Sequence, residues 1–402
     1  MQNQNWRFFS RVIAVATVAV LVVSFTTLAM AQRIGGEERN SIFAAASKVS
    51  TSVKGVTVFA APPKGFDPLT ATNRELLSYG LPQRPDKAVD AKGYEVWERA
   101  MLALKPGAAA GAGHTSSNPM TASDVKALPY TSREMVGGTQ TQTPDASGVT
   151  FYNSGNWSGI ANTNKLTSWN KKTSFDEVVS VWNVPVANHP FGNLPCSEGP
   201  WFEVTWNGID GFNNGDVVQG GSAIYWDGGG CGGPVEYYGW VEWYPSYSIL
   251  EIYCGSSPCA VGPGDDFEVI TYGAPGFATQ TVFVEDVTQQ WSGTFSLPYI
   301  SGPGVVGSSA EYIVERPCCN GSNYYPLGNY VWEFFDDSFA YDVAGSLFYP
   351  GNAAASTAVI TMLADDGSAI SYPVFYGSAG NQGKYSIWLA DENCAYSGGC
   401  TP

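Results

Sequence analysis

Three observations predict an all-β fold for this chain, an antiparallel two-sheet sandwich behind a separate N-terminal segment. From residue 151 onward, about eleven short runs rich in Val, Ile, Tyr, Phe and Trp alternate apolar with polar residues, the period of a half-buried strand. Clusters of Gly, Pro, Asn and Asp punctuate these runs, as tight turns require. Charge also divides the chain: residues 1–150 carry a net of about +4 and residues 151–402 about −20, so the overall −16 combines two compositions. Strands in this number pack face to face as a β-sandwich of jelly-roll or concanavalin type, and about 250 residues is a usual size for one such domain.

At the N-terminus, Arg7 and Arg11 precede the apolar run Val12 to Val23, and Ala29-Met30-Ala31 supplies a small-x-small cleavage site. This predicts a signal peptide over 1–31 and a secreted, extracellular product with no stable membrane association after cleavage. The competing reading is an uncleaved anchor, because Val12 to Ala31 approaches bilayer-spanning length. Residues 32–104 read as a partly helical prosegment, in which Asp90 to Leu104 sets Tyr94, Trp97, Met101 and Leu104 on one face able to dock. As an inhibitor of its own domain it would present Lys87, Lys92 and Arg99 to the acidic half, an attraction that fades as carboxylates protonate. Residues 105–150, rich in Pro, Gly, Ala and Ser from Lys105 to Pro119, are the expected linker and processing region, with the mature chain starting between Lys105 and Asn153.

Residues 151–402 form the predicted sandwich. Strands are expected at Val178 to Val184, Phe202 to Trp206, Val235 to Tyr244, Ser248 to Tyr253, Phe267 to Tyr272 and Thr279 to Glu285. Further strands are expected at Glu311 to Arg316, Tyr330 to Phe334, Ser356 to Met362, Ser371 to Tyr376 and Tyr385 to Leu389. All eight cysteines lie beyond residue 190, and an even count in an exported chain reads as disulfides. Cys254 with Cys259 and Cys394 with Cys400 make plausible local loops, whereas the adjacent Cys318 and Cys319 are expected to take different partners. No Cys-x-x-Cys is present and only His189 lies near, which disfavours a zinc site.

Two stretches carry the chemistry: Trp206-Asn207-Gly208-Ile209-Asp210-Gly211 followed by Gln219, and Ala310-Glu311-Tyr312-Ile313-Val314-Glu315 about a hundred residues later. A glutamate and a glutamine facing one cleft can share water activation and oxyanion stabilisation without metal, cofactor or imidazole, which points to an acid-active hydrolase. Glu311 and Glu315 share a strand face but lie about 13 Å apart, too far to act as a dyad. In Trp240-Val241-Glu242-Trp243-Tyr244 the same periodicity sets Glu242 between two rings, a surface suited to an extended peptide or glycan.

In this order, with Trp240-x-Glu242-Trp243-Tyr244-Pro245 between them and Asn156-Trp157-Ser158-Gly159 ahead, these motifs resemble the eqolisins, the glutamic peptidase family of acid endopeptidases. The resemblance covers roughly residues 154–345 and implies a β-sandwich with a catalytic Gln/Glu pair, here Gln219 and Glu315. It also places Trp206, Asp210, Trp240 and Glu242 near the cleft, where they would support substrate and pair. Residues Asn73 to Asp86 are similar to prosegments of bacterial members. One departure is Tyr238, where members often carry Asp two residues before the Trp-x-Glu-Trp motif.

The expected function is therefore a monomeric acid endopeptidase acting on protein or peptide substrates. A glycosidase using Glu242 and Glu315, or a lectin-like module on the same aromatic surface, are the alternatives from other classes. Pepsin-like Asp-Thr/Ser-Gly loops and a Gly-x-Ser-x-Gly motif are both missing, and the scarcity of cations after residue 150 disfavours nucleic-acid binding.

Overall fold

Alternating residues on each strand must bury one row of side chains, and the chain satisfies this with two antiparallel sheets packed face to face. In the computed structural model the described residues are 33–105, 119–141, 149–188, 199–227, 233–320, 323–330, 332–350, 356–365, 367–375 and 387–391. The signal-peptide region, His189 and the proposed Cys394 to Cys400 loop lie outside them.

The first sheet runs in the order Val149–Ser154, Ser356–Leu363, Trp157–Thr163, Ser309–Glu315, Trp201–Ile209, Val217–Trp226, Val235–Tyr244, Leu250–Cys254 and Asp124–Ala127, the first pair parallel and every other antiparallel. The second runs Ile387–Asp391, Trp332–Asp342, Phe175–Asn183, Asp266–Tyr272, Gln280–Asp286, Trp291–Leu297 and Thr57–Phe59. The strand Ala369–Phe375 pairs with members of both and turns the corner between them. Between the sheets lies a core that includes Trp182, Val218, Val241, Phe267, Val284, Trp291, Phe295 and Tyr312.

Each of the eleven expected strands is present, and Val235–Tyr244 matches to the residue. Val149–Ser154, Trp157–Thr163, Val217–Trp226 and Trp291–Leu297 were not among them. Glycine disguises two of these strands and is required in both. A Cβ on Gly221 would meet the Thr205 carbonyl oxygen at 1.9 Å, and one on Gly159, whose φ is +148°, would meet that of Tyr312 at 2.1 Å. Cys254 and Cys259 are bonded as expected. Cys318 and Cys319, expected to part, are instead bonded to each other across a cis peptide, which brings the two Cα atoms to 3.1 Å.

The N-terminal segment wraps the outer face of the second sheet. Its longest helix, Ala91–Ala103, begins at Asp90, whose side chain accepts from the Gly93 amide at 2.9 Å and so satisfies one of the free amides of the first turn. Trp97 and Met101 are buried with Phe43, Leu76 and Leu77 against Val179, Ile270, Tyr272, Phe283, Phe339 and Tyr341 of the sheet, so the predicted apolar face does dock. Tyr94 and Leu104 pack only partly buried at its margin. Lys92 pairs with Asp337 at 3.2 Å and Arg99 with Asp266 at 3.3 Å. Lys87 differs from expectation, lying 4.6 Å from the centre of the Tyr94 ring within the segment itself. Deeper in, Arg33 grips Glu177 with two hydrogen bonds, 3.2 and 2.7 Å, and the fully buried Arg39 reaches Glu177 at 3.1 Å and Asp176 at 3.2 Å. Burial pushes the Glu177 carboxyl up, but Arg33 and Arg39 outweigh it and hold it below its ordinary value.

Residues 105–150 are more than a spacer. Asp124–Ala127 completes the first sheet beside Leu250–Cys254, and Met120–Thr121 runs parallel to the start of Trp291–Leu297.

In several buried carboxyls of the sandwich, dehydration outweighs whatever cation is near. Burial pushes Glu203 and Glu268 up to about 8 and Asp286 up to about 9, and it pushes Asp337 up to about 6 despite Lys92. Such groups favour the fold while protonated, so their contribution is complete below the ordinary carboxyl range near about 4 and is lost as pH rises through about 6 to 9. The thermal midpoint should accordingly be higher at about pH 4 than at about pH 8. Calorimetry at the two values checks this, and an equal or higher midpoint at about pH 8 would contradict it.

Candidate active site

Sheet register decides which side chains meet on the outer face of the first sheet. Gln219 lies opposite Glu242 on one side and Gly208 on the other, and Gly208 lies opposite Glu311. One step along, Trp206 lies between Ile313 and Gly221, and Gly221 opposite Trp240. Glu315 heads the next row, between Val204 and Trp157. Glu315, Trp206, Gln219, Glu242 and Trp240 thus share one face, and each is fully buried.

The segment 128–136 covers that face and fills the space between the polar groups. Ser132 Oγ lies 3.2 Å from Gln219 Oε1 and also hydrogen-bonds Glu315 Oε2. The Ser132 amide donates to Glu242 Oε2 at 2.9 Å, Thr131 Oγ1 donates to Glu242 Oε1 at 2.6 Å, and the Arg133 amide donates to Glu315 Oε1 at 3.1 Å. From the body of the sheet, Trp206 Nε1 donates to Glu315 Oε2 and Asn156 Nδ2 to Glu315 Oε1, both at 3.0 Å. Gln219 Nε2 donates to Glu242 Oε2 at 3.3 Å, which fixes the orientation of the amide. Main-chain bonds hold the segment on both sides: Leu128 N to Ile249 O at 2.9 Å, Ile249 N to Tyr130 O at 3.0 Å, Thr131 N to Cys318 O at 2.7 Å and Cys318 N to Thr131 O at 2.9 Å.

Dehydration controls the charge of this site. Burial pushes Glu315 up to about 8, opposed by hydrogen bonds from Ser132, Arg133, Asn156 and Trp206. Glu242 is raised well above the carboxylate range, first by burial and then by the nearby Glu315, against the hydrogen bond from Thr131. While the segment is in place, both carboxyls are neutral in acid.

The sequence-predicted residues divide by what they touch. Gln219, Glu315, Trp206 and Glu242 converge on Ser132 or on one another. Trp240 stands behind them, its Nε1 donating to the Ser222 carbonyl at 3.1 Å. Asp210 is elsewhere: its carboxylate accepts from the amides of Val306, Gly307 and Ser308 at 2.6, 2.9 and 2.7 Å and from Ser308 Oγ at 2.8 Å. It therefore ties the turn after Trp201–Ile209 to the loop that enters Ser309–Glu315, and reaches the site only through those strands. Glu311 and Glu315 keep separate neighbours along their strand, as their spacing requires.

Two site residues were not singled out as functional from sequence, Asn156 and Trp157. Trp157 Nε1 donates to the Arg133 carbonyl at 2.9 Å and its ring meets that of Trp206 edge to face at 4.9 Å. The signal for both was the Asn-Trp-x-Gly opening.

The sequence profile of the Peptidase A4 family matches residues 155–374. Among solved structures, scytalido-glutamic peptidase bound to a transition state analog inhibitor is similar, with 19% identity, TM-score 0.44, and coverage of 59% of this chain and 98% of that one. SCP-B, a member of the eqolisin family in complex with the tripeptide Ala-Ile-His, gives 18% identity, TM-score 0.42, and coverage of 59% and 98%. Aspergilloglutamic peptidase from Aspergillus niger gives 20% identity, TM-score 0.38, and coverage of 48% and 99%. No curated protein matches.

Replacing Asp210 strips four hydrogen bonds from a buried turn. Asp210→Ala is expected to cost about 2 to 4 kcal/mol of stability, read as a lower urea midpoint with unchanged slope.

Proposed function

Because the chain belongs to the Peptidase A4 family of glutamic endopeptidases, we propose that it is a secreted, acid-active endopeptidase in which Glu315 is the general base and Gln219 stabilises the oxyanion. One observation carries this assignment: Gln219 and Glu315 meet across a single peptide segment, with Ser132 Oγ within hydrogen-bond reach of both. A water molecule in place of that hydroxyl would lie where a base must hold it.

Ionised Glu315 takes a proton from this water as its oxygen adds to the scissile carbonyl. The Gln219 amide has two N–H groups; one is engaged by Glu242, and the other donates to the oxyanion that forms. Protonated Glu315 then passes the proton to the departing amine as the C–N bond breaks. Glutamine does not ionise, so its donor persists in acid. Once the covering segment leaves and water enters, the main cause that raises Glu315 weakens, and a carboxylate is recovered in mildly acidic solution.

The N-terminal segment acts in this reading as an inhibitory prosegment, by a route other than its charged helix. Residues 128–136 block the site, while residues 33–105 anchor them from the far side of the sandwich. Strong acid weakens the anchor: Glu177, held below its ordinary value, lets go of Arg33 and Arg39 once it is protonated. Processing between Lys105 and Asn153 would free a monomer. Export rests on the N-terminal sequence, and the Cys254–Cys259 bond suits an oxidising compartment.

Purified full-length chain and its Glu315→Ala variant, incubated with an unstructured protein from about pH 2 to 7, test the assignment by mass spectrometry of substrate fragments and of the chain's own N-terminus. The parent is expected to cleave in acid and to lose its N-terminal segment, whereas Glu315→Ala does neither, a loss of roughly 10⁴ or more in rate. Gln219→Ala should retain about 10⁻² to 10⁻³ of kcat. Equal cleavage by parent and Glu315→Ala would remove Glu315 as the base. Activity of the parent that peaks near pH 7 would remove the acid-active reading.

A further inference from the structure

The blocking segment lies in the cleft as a peptide substrate would, and its side chains report what the cleft accepts. Residues 128–131 exchange main-chain hydrogen bonds with Ile249 on one side and Cys318 on the other, the pattern by which a peptide adds to a sheet edge, with affinity from backbone and selectivity from alternate side-chain pockets. Two residues before Ser132, Tyr130 enters such a pocket. Its ring lies edge to face on Phe202 at 4.9 Å and on Tyr325 at 5.4 Å, and stacks on Tyr225 at 5.6 Å with the planes 28° apart. Phe202 also meets Tyr225 at 5.4 Å and Tyr325 at 5.6 Å, so the three walls brace one another. Tyr238, at the position where the resemblance led one to expect Asp, stands behind Phe202 at 6.3 Å and makes that wall aromatic too.

Every wall of this box comes from residues after 200, whereas the occupant comes from the segment that processing would remove. Removal of Tyr130 leaves an open aromatic pocket beside the pair, and such a pocket gains most from another flat or bulky apolar side chain. Tyr225 stands six residues beyond Gln219 on the same strand, so pocket and oxyanion donor are held at a fixed spacing.

We infer that the box formed by Phe202, Tyr225 and Tyr325 is the main specificity pocket, and that it selects peptide substrates with an aromatic residue two positions N-terminal to the residue held over Gln219 and Glu315. This rests on the peptidase reading above and adds the substrate class.

The test is a cleavage profile: a complex peptide mixture digested in acid by the processed parent protein, by Tyr225→Ala and by Tyr225→Phe, with Glu315→Ala as blank. The parent should show an enrichment of about tenfold for Tyr, Phe and Trp at one fixed position, the second or third residue before the cut. Tyr225→Ala should flatten that enrichment and Tyr225→Phe should keep it. Because a folding defect would lower cleavage of all peptides alike, the ratio of aromatic to non-aromatic cleavage is the quantity read. A parent that cleaves in a Glu315-dependent manner with no aromatic preference at either position overturns the inference and leaves the peptidase reading standing. No Glu315-dependent cleavage at all overturns the reading, and the inference with it.

Discussion

A carboxyl group placed on a dry sheet face needs donors around it, and the site is organised by how Glu315 obtains them. Four groups serve its two oxygens: the Trp206 indole, the Asn156 amide, the Ser132 hydroxyl and the Arg133 main-chain amide. The first two belong to strands or turns of the sandwich, and the last two to the covering segment. Removing the segment takes away half of these partners and admits water in their place. Covered, the carboxyl is held neutral in acid by burial; in the proposed function, hydration on uncovering would let it ionise.

The rest of the fold serves that geometry. Trp206 is held by the edge of Trp157 and lies in a row made passable by Gly221, where any larger residue would collide with the neighbouring strand. Asp210 contributes at a distance by locking the turn from which the strand of Trp206 leaves and the loop from which the strand of Glu315 enters. Glu242 is flanked by aromatic residues in sequence, yet its contacts are polar, since it fixes the Gln219 amide and binds the covering segment.

Acid acts in opposite directions on the two faces of the molecule. Within the sandwich, carboxyls without a cation beside them, such as Glu203 and Asp286, favour the protonated, folded state. At the back, where the N-terminal segment docks, Glu177 is held by Arg33 and Arg39 and works only while ionised. Acidification therefore strengthens the sandwich while loosening the Glu177 clamp, a difference that follows from the presence or absence of a buried cation beside each carboxyl.

Runs of β-branched and aromatic residues bounded by turn residues made the eleven expected strands legible, as in Val235–Tyr244. Ordered motifs likewise made Gln219 and Glu315 legible as candidates. What stayed hidden depended on long-range packing. The strand of Gln219 is written in glycine and serine because the neighbouring backbone comes too close for side chains, so local propensity misses it. Asp210 and Gln219 stand in one motif, yet a turn at positive φ sends Asp210 away to cap a loop. Nothing local in Thr131-Ser132-Arg133 marks it as the segment that meets the pair, since small polar residues read the same in any linker. By itself the sequence determined the fold class, the family and the identity of the chemical groups. The tertiary structure decided which of them share a dry face, which segment covers them and which pocket its tyrosine fills, because those contacts join residues far apart in the chain and leave no periodic trace along it.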